Sequence, residues 1–227
     1  MITFYGRDAT LVAMNLTPKS FVLAPLLALV YGAIHLLDGL DGSHGPGLAW
    51  TAGHLAFLAA LALFVPLVLE LARRAANRRA AIAIGVFSLI GVAAGVVQFV
   101  IDLVVGFLAA DRAEMGRLFD QVQQVPGVEL VVYAVVPTFF YAGLITLVAM
   151  QAVAGRIGWW NPALIALGVG AVVVERDLLP LSALLNLVGL APLRRGPIRA
   201  DAGPSRPGRA ANAVREPGDG SRESAGR

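Results

Sequence analysis

The sequence predicts an all-α membrane protein: a bundle of about six transmembrane helices with both termini in the cytoplasm, a short outer amphipathic helix and a disordered C-terminal tail. Of the 227 residues, 57% are hydrophobic and 15% are charged, whereas soluble domains carry about 25% charged residues. Long apolar runs recur along the chain, and a membrane-spanning helix needs about 20 such residues. If each apolar run crosses the membrane, most of the arginines lie on the same side of it.

The apolar runs define the predicted spans. They cover residues 21–38, 48–70, 82–108, 130–153, 159–174 and 178–193. The first four runs have the length of a transmembrane helix. The last two have about 16 residues each and are separated only by Glu175, Arg176 and Asp177, so we interpret them as a tight hairpin. A single re-entrant segment is the alternative, and it would place the C-terminus outside.

The basic residues are divided unequally between the two sides. Of the 18 Lys and Arg residues, only Arg112, Arg117 and Arg176 lie in the segments predicted to be outside. The remaining 15 lie in the N-terminal segment, the loops after spans two and four, and the tail. Because Lys and Arg in short loops favour the cytoplasmic side, we predict a plasma-membrane protein with cytoplasmic termini.

Three regions follow from this topology. Residues 1–19 are predicted as a cytoplasmic segment that forms an interfacial helix, and residues 20–193 as the transmembrane domain. Residues 194–227 are rich in Arg, Gly and Pro and carry too little apolar surface to offset the entropy of ordering, so we predict a disordered tail.

The predicted partners are lipids. The bilayer surrounds the spans, and the Arg-rich cytoplasmic loops favour anionic lipid headgroups. Topology therefore accounts for the basic pI of about 9.8 without nucleic acid as a partner. Glycine-lined helix faces also allow a homo-oligomer or a membrane partner.

The segment 111–128 has the pattern of a short amphipathic helix. Met115, Leu118, Phe119 and Val122 follow one another at helical spacing and define one apolar face. A helix of this kind lies on a membrane surface with its apolar face inward. The predicted topology places it on the outer side.

Span three carries the clearest packing motif. Gly91 and Gly95 form a small-xxx-small pair, which lets two membrane helices approach closely. Gln98 and Asp102 continue along nearly the same face. We therefore expect this face to be directed toward the interior of the bundle.

Four polar residues are predicted to form a pocket that opens to the outer face: His35, His54, Gln98 and Asp102. At 1.5 Å per residue, His35, His54 and Asp102 each lie within roughly 5–10 Å of the outer boundary, and Gln98 lies deeper. Ionisable residues inside a span usually face the bundle interior or a wet cavity. Asp102 and Gln98 would serve as a proton relay or substrate contact, or a protonated Asp102 would hydrogen-bond across helices to His35 or His54.

Cofactor sites are a separate hypothesis. His35, Asp38, Asp41 and His44 recur at every third position, and imidazole with carboxylate suits divalent metals such as zinc. The alternative is a solvated loop. His35 and His54 would instead serve as axial ligands of one haem between spans one and two. We expect no cofactor, with a divalent metal or haem as the alternatives.

Motifs exclude several enzyme classes. The chain has no cysteine, which excludes disulfides and thiolate chemistry. It also lacks a P-loop, a dinucleotide fingerprint, a nucleophile elbow and an HExxH motif. We therefore expect a non-enzymatic membrane protein whose polar pocket serves small-solute binding, transport or sensing. A metal- or haem-binding redox or enzyme component is the first alternative, and a scaffold that binds partner proteins is the second.

Overall fold

The computed structural model describes residues 4–40 and 44–195, and for residues 4–16 it describes the backbone alone. This part of the chain is helical and contains no β-strand. The α-helices are α1 (Phe4–Asp38), α2 (Leu48–Arg74), α3 (Arg78–Leu108), α4 (Arg112–Gln123), α5 (Val136–Val153), α6 (Trp160–Val174) and α7 (Leu179–Leu190). A π-helical turn spans Glu129–Ala134, and 3-10 turns span Arg176–Leu178 and Ala191–Arg194. The predicted all-α class is confirmed.

Five helical stretches among the described residues are long and apolar enough to cross a membrane. They are Thr17–Asp38, Leu48–Arg74, Arg78–Leu108, Glu129–Val153 and Arg176–Arg194. Helix α6 is also apolar but has 15 residues, which gives it a length of about 22 Å against a hydrocarbon core of about 30 Å. These stretches are compatible with an integral membrane protein. The count of six spans stays a prediction.

The exposed surface has the character expected of a membrane helix. On α3, Val86, Ile90, Val97 and Val104 are about half exposed and follow one face of the helix. Soluble monomers rarely expose apolar patches larger than a few hundred Å². The apolar stripe therefore favours contact with lipid.

The N-terminal region belongs to one long helix. The segment before the first span was predicted as an interfacial helix, and α1 runs unbroken from Phe4 to Asp38 through Pro18 and Pro25. Whether this segment lies at the membrane surface stays a prediction. A proline removes one backbone donor, and membrane helices tolerate this loss because neighbouring groups compensate. The proline therefore does not mark a helix boundary here.

Helix α4 matches the amphipathic helix predicted in the segment 111–128. Its N-terminus is capped by Asp111, whose Oδ1 accepts a hydrogen bond from the backbone N–H of Glu114 at 2.8 Å. Glu114 in turn accepts from the N–H of Ala110 at 2.9 Å, so the exchange satisfies two free donors. Met115 is buried, while the ring of Phe119 lies 6.1 Å from that of Trp50 on α2.

Small residues set the closest helix approach, between α3 and α5. A Cβ atom added to Gly91 would overlap the backbone N of Phe140 and lie 2.9 Å from its Cα. One turn away, a Cβ on Gly143 would lie 2.5 Å from the Cβ of Ser88, whose hydroxyl donates to the carbonyl of Phe140 at 3.1 Å. Gly95 makes a looser contact, because its added Cβ would lie 3.4 Å from Leu61.

A basic cluster closes one end of the bundle, where α2, α5 and α7 end. Glu70 and Arg74 form an ion pair at 2.7 Å, and Arg74 Nη1 also donates to the carbonyl of Leu193 at 2.7 Å. Arg156 donates to Gln151 Oε1 at 2.6 Å and to the carbonyl of Arg74. These bonds join the connection after α5 to the ends of α2 and α7.

Candidate functional site

A polar cluster lies at the opposite end of the bundle, where α1 ends, α2 begins and α3 ends. We define it as Tyr31, Trp50, His54, Asp102 and Tyr133. His54 is 4% exposed and Asp102 is 7% exposed, so both titratable side chains are buried between helices. Burial of such groups is costly unless they are paired and hydrogen-bonded.

The hydrogen bonds of His54 define its tautomer. Its Nδ1 lies 2.7 Å from the carbonyl oxygen of Trp50. A carbonyl oxygen only accepts, so Nδ1 carries the hydrogen. The other ring nitrogen, Nε2, then faces Asp102 Oδ2 at 3.7 Å.

Asp102 is held from two further directions. The hydroxyl of Tyr133 donates to its Oδ1 at 2.9 Å, and the indole of Trp50 donates to its backbone carbonyl at 3.0 Å. Gly106 lies one turn later, and a Cβ there would lie 2.5 Å from Trp50 Cδ1. Glycine at this position therefore lets the indole reach the backbone of α3.

The arrangement offers a position for one proton between His54 and Asp102. A neutral His54 with its hydrogen on Nδ1 has a bare lone pair on Nε2. An ionised Asp102 would present a second lone pair to it, and two acceptors repel at this distance. One proton, on either Nε2 or Oδ2, removes the conflict by giving an imidazolium–carboxylate pair or a neutral pair.

The π-helical turn Glu129–Ala134 positions Tyr133. Pro137 follows four residues after Tyr133 and has no N–H to donate to the Tyr133 carbonyl. The chain instead forms a wider turn, in which the N–H of Val135 bonds to the carbonyl of Leu130 at 2.8 Å. Such widened turns are frequent at functional sites, and this one directs the tyrosine hydroxyl to Asp102.

Aromatic rings surround the imidazole of His54. The ring centroid of Trp50 lies 4.1 Å away, that of Phe99 lies 5.1 Å away and that of Tyr31 lies 5.7 Å away. The crevice beside His54, between α1 and α2, has a volume of about 10 Å³. This is close to the minimum space for one water molecule, so the crevice has room for a water or a proton and for no larger solute.

The structure brings together part of the predicted pocket. His54 and Asp102 face each other directly. His35 does not contact this pair directly. The ring of Tyr31 lies between them, with its centroid 6.0 Å from that of His35 and 5.7 Å from that of His54. Gln98 is half-buried and, within the described residues, makes no hydrogen bond to His54 or Asp102.

Three members of the polar cluster were not predicted as part of the site: Tyr31, Trp50 and Tyr133. The signal available in the sequence was the spacing of four residues between Tyr133 and Pro137. That spacing indicates a disturbed helix, but it does not reveal which side chain the disturbance redirects.

The predicted metal ligands are only partly described. His35 and His44 stack with ring centroids 4.2 Å apart, and His44 Nε2 hydrogen-bonds the carbonyl of His35 at 3.1 Å. Asp38 lies near them at the end of α1, whereas Asp41 lies outside the described residues. No group of three or more His, Asp or Glu residues among the described residues is arranged to hold a metal ion. The four-ligand site stays a prediction.

The haem hypothesis does not fit this geometry. Nδ1 of His54 is bound to a carbonyl, and Nε2 faces a carboxylate. The crevice that would lie beside a ligating His54 has a volume of only about 10 Å³. His54 therefore has no nitrogen directed at a space large enough for the cofactor.

Comparison with known protein families, with curated proteins and with solved structures gave no match for this chain.

Proposed function

We propose that this chain is an integral plasma-membrane protein that binds a proton at the His54–Asp102 pair and couples pH outside the cell to the packing of α2 against α3. The observation that carries the proposal is the buried separation of 3.7 Å between His54 Nε2 and Asp102 Oδ2. The sequence predicted a pocket for a small solute, and we propose that this solute is a proton. Histidine suits the task because its imidazole can bind and release a proton.

The coupling follows from hydrogen-bond geometry. A charged N–H to carboxylate contact is about 2.7–2.9 Å long, which is shorter than the present separation. A proton on His54 Nε2 therefore favours closer approach of α2 to α3. Loss of that proton leaves two acceptors facing each other and favours separation. Tyr133 remains bonded to the other oxygen of Asp102 and links the change to the turn before α5.

Trp50 provides an optical test of this proposal. Trp159 and Trp160 are exposed, so Trp159→Phe and Trp160→Phe leave Trp50 as the sole tryptophan of the chain. We expect its emission in lipid nanodiscs to change with pH as a one-proton transition, because an imidazolium quenches a nearby indole. His54→Gln should abolish the transition.

His44→Gln is the matched control, since His44 stacks on His35 and does not contact Trp50 in the described contacts. It should leave the transition unchanged. A flat emission curve, or a transition that persists in His54→Gln, would contradict proton binding at this pair. Proton flux into liposomes then distinguishes transport from sensing, because sensing predicts the fluorescence transition without flux.

The proposed orientation places the polar cluster outside and the basic cluster in the cytoplasm. The arginine distribution supports it, and so does the position of Arg74 and Arg156 at the end opposite His54. The absence of cysteine from the sequence allows single-cysteine labelling without a background.

We expect a membrane-impermeant maleimide to label Gly116→Cys and Glu175→Cys in intact cells, and Ala76→Cys only after permeabilisation. All three positions are exposed. The reverse pattern would contradict the orientation. Labelling of Glu175→Cys only after permeabilisation would contradict six spans, because α6 would then not cross the membrane.

A further inference from the structure

A second cavity lies deeper in the bundle, away from the polar cluster. It is enclosed by α1, α2, α5, α6 and α7 and has a volume of about 400 Å³. Sites for small organic ligands have volumes of roughly 300–1,000 Å³. The cavity is therefore large enough for a small organic molecule, in contrast to the crevice beside His54.

The walls of this cavity are mainly apolar. They are formed chiefly by Phe57, Phe64, Phe140, Ile145, Val172 and Leu179. Val173 also lines the cavity and is 81% exposed on the outside of α6. The exposed residues Thr138 and Ala142 on α5 line it as well, so the cavity opens between α5 and α6. In a membrane this opening faces lipid.

One polar residue that lines the cavity has a buried carboxamide oxygen without a hydrogen-bond partner within the described residues. Asn186 lines the cavity and is 92% buried, with 8% of its surface exposed. Its carboxamide oxygen is buried and accepts no hydrogen bond within the described residues. Ser182, one turn earlier on α7, and Tyr141 on α5 line the same cavity. A buried acceptor without a donor is unfavourable, and more so in an apolar medium.

We propose that this cavity binds a lipid-like alcohol: an apolar molecule from the bilayer with one hydroxyl group. Rotation of the Asn186 carboxamide about χ2 turns its oxygen toward the cavity, where this hydroxyl donates a hydrogen bond to it. The apolar walls accept the hydrocarbon part, and the opening between α5 and α6 admits it from the membrane. Phe57 separates the cavity from the polar cluster, since its ring lies 5.0 Å from Tyr31 and 4.4 Å from Phe99. The bound alcohol therefore lies one layer of aromatic rings from His54.

The test compares two probes of nearly equal length, dodecanol and dodecyl methyl ether. Both partition into a bilayer, but only the alcohol can donate to Asn186. We expect the full chain in nanodiscs to bind dodecanol about tenfold more tightly than the ether, measured by the rise in thermal unfolding temperature with probe concentration. Asn186→Leu should remove the preference, so that the two probes bind about equally tightly.

Asn161→Leu is the matched control. Asn161 is also a buried asparagine with an unpartnered carboxamide oxygen, but it does not line this cavity. It should retain the tenfold preference. Val172→Phe, at a half-buried wall position, offers a second variant that narrows the cavity and should weaken dodecanol binding with Asn186 intact.

Equal binding of the two probes, or an alcohol preference that survives Asn186→Leu, would overturn the proposal and indicate partition into lipid. A cavity that holds only water would give no alcohol preference in any variant, which also overturns it. Mass spectrometry of the chain extracted directly into nanodiscs then identifies the source. A co-purifying alcohol that is lost in Asn186→Leu indicates a membrane constituent, whereas binding of added alcohol alone indicates an external ligand.

Discussion

Gly91→Ala is expected to destabilise the chain by about 3 kcal/mol, near the upper end of the usual cost of overpacking. The added Cβ would overlap the backbone N of Phe140. Backbone atoms cannot move aside as the end of a side chain can, so α3 and α5 must separate. Separation also strains the hydrogen bond from Ser88 to the Phe140 carbonyl. Reversible unfolding in mixed micelles measures the loss.

Gly95→Ala is the control on the same helix. Its Cβ would lie 3.4 Å from Leu61 Cδ1, an ordinary van der Waals contact with a flexible side chain. We expect a change within about 0.5 kcal/mol of the wild type, or a small gain from reduced freedom of the unfolded chain. Equal losses for the two variants would contradict the close crossing at Gly91.

Glu70→Gln is expected to cost about 2–4 kcal/mol of unfolding free energy, because it leaves Arg74 without its charge partner. The side chain of Arg74 is only 13% exposed and that of Glu70 is 9% exposed. The guanidinium of Arg74 also lies 5.3 Å from the ring centroid of Phe21 and donates to the carbonyl of Leu193. An uncompensated charge here weakens the contacts of α1 with the ends of α2 and α7.

Arg73→Gln tests whether burial is the cause. Arg73 pairs with the same carboxylate at 2.6 Å, but its side chain is 72% exposed, and exposed pairs contribute about 0–1 kcal/mol. We expect a loss of about 0.5 kcal/mol or less. Glu70→Gln and Arg74→Gln should be strongly non-additive when combined. Additive effects, or a loss at Arg73 as large as that at Glu70, would show that the buried pair does not hold this end together.

The positions of the helices along the chain were predictable, because a helix that crosses the membrane needs an apolar run whose length matches the membrane thickness. The structure has a helix at each predicted span, and it has α4 where the apolar period of the segment 111–128 placed one. Gly91 was also predictable as a close-packing position, since a residue without a side chain on an interior face allows close approach. The continuation of α1 through Pro18 was missed, because proline weakens a helix without always ending it.

The polar cluster was predictable only in outline. Counting residues along each helix predicted that His54 and Asp102 lie at a similar depth in the membrane. In the structure their side chains face each other. The same reasoning included Gln98, but the buried face of α3 runs through Gly95, Phe99 and Asp102. Gln98 lies at the edge of the buried face and is half-buried. Which residues lie at that edge depends on where α2 and α5 contact α3.

By itself, the sequence determined the helical class, the apolar stretches and the unequal arginine distribution, because each depends on residue type and spacing along one chain. The tertiary structure alone decided which groups meet: Tyr133 with Asp102 through a π-helical turn, Trp50 with the α3 backbone over Gly106, and Asn186 with an apolar cavity. Each of these depends on distances between helices. Such distances are set by close packing at a few crossings, and no periodicity within a single helix contains them.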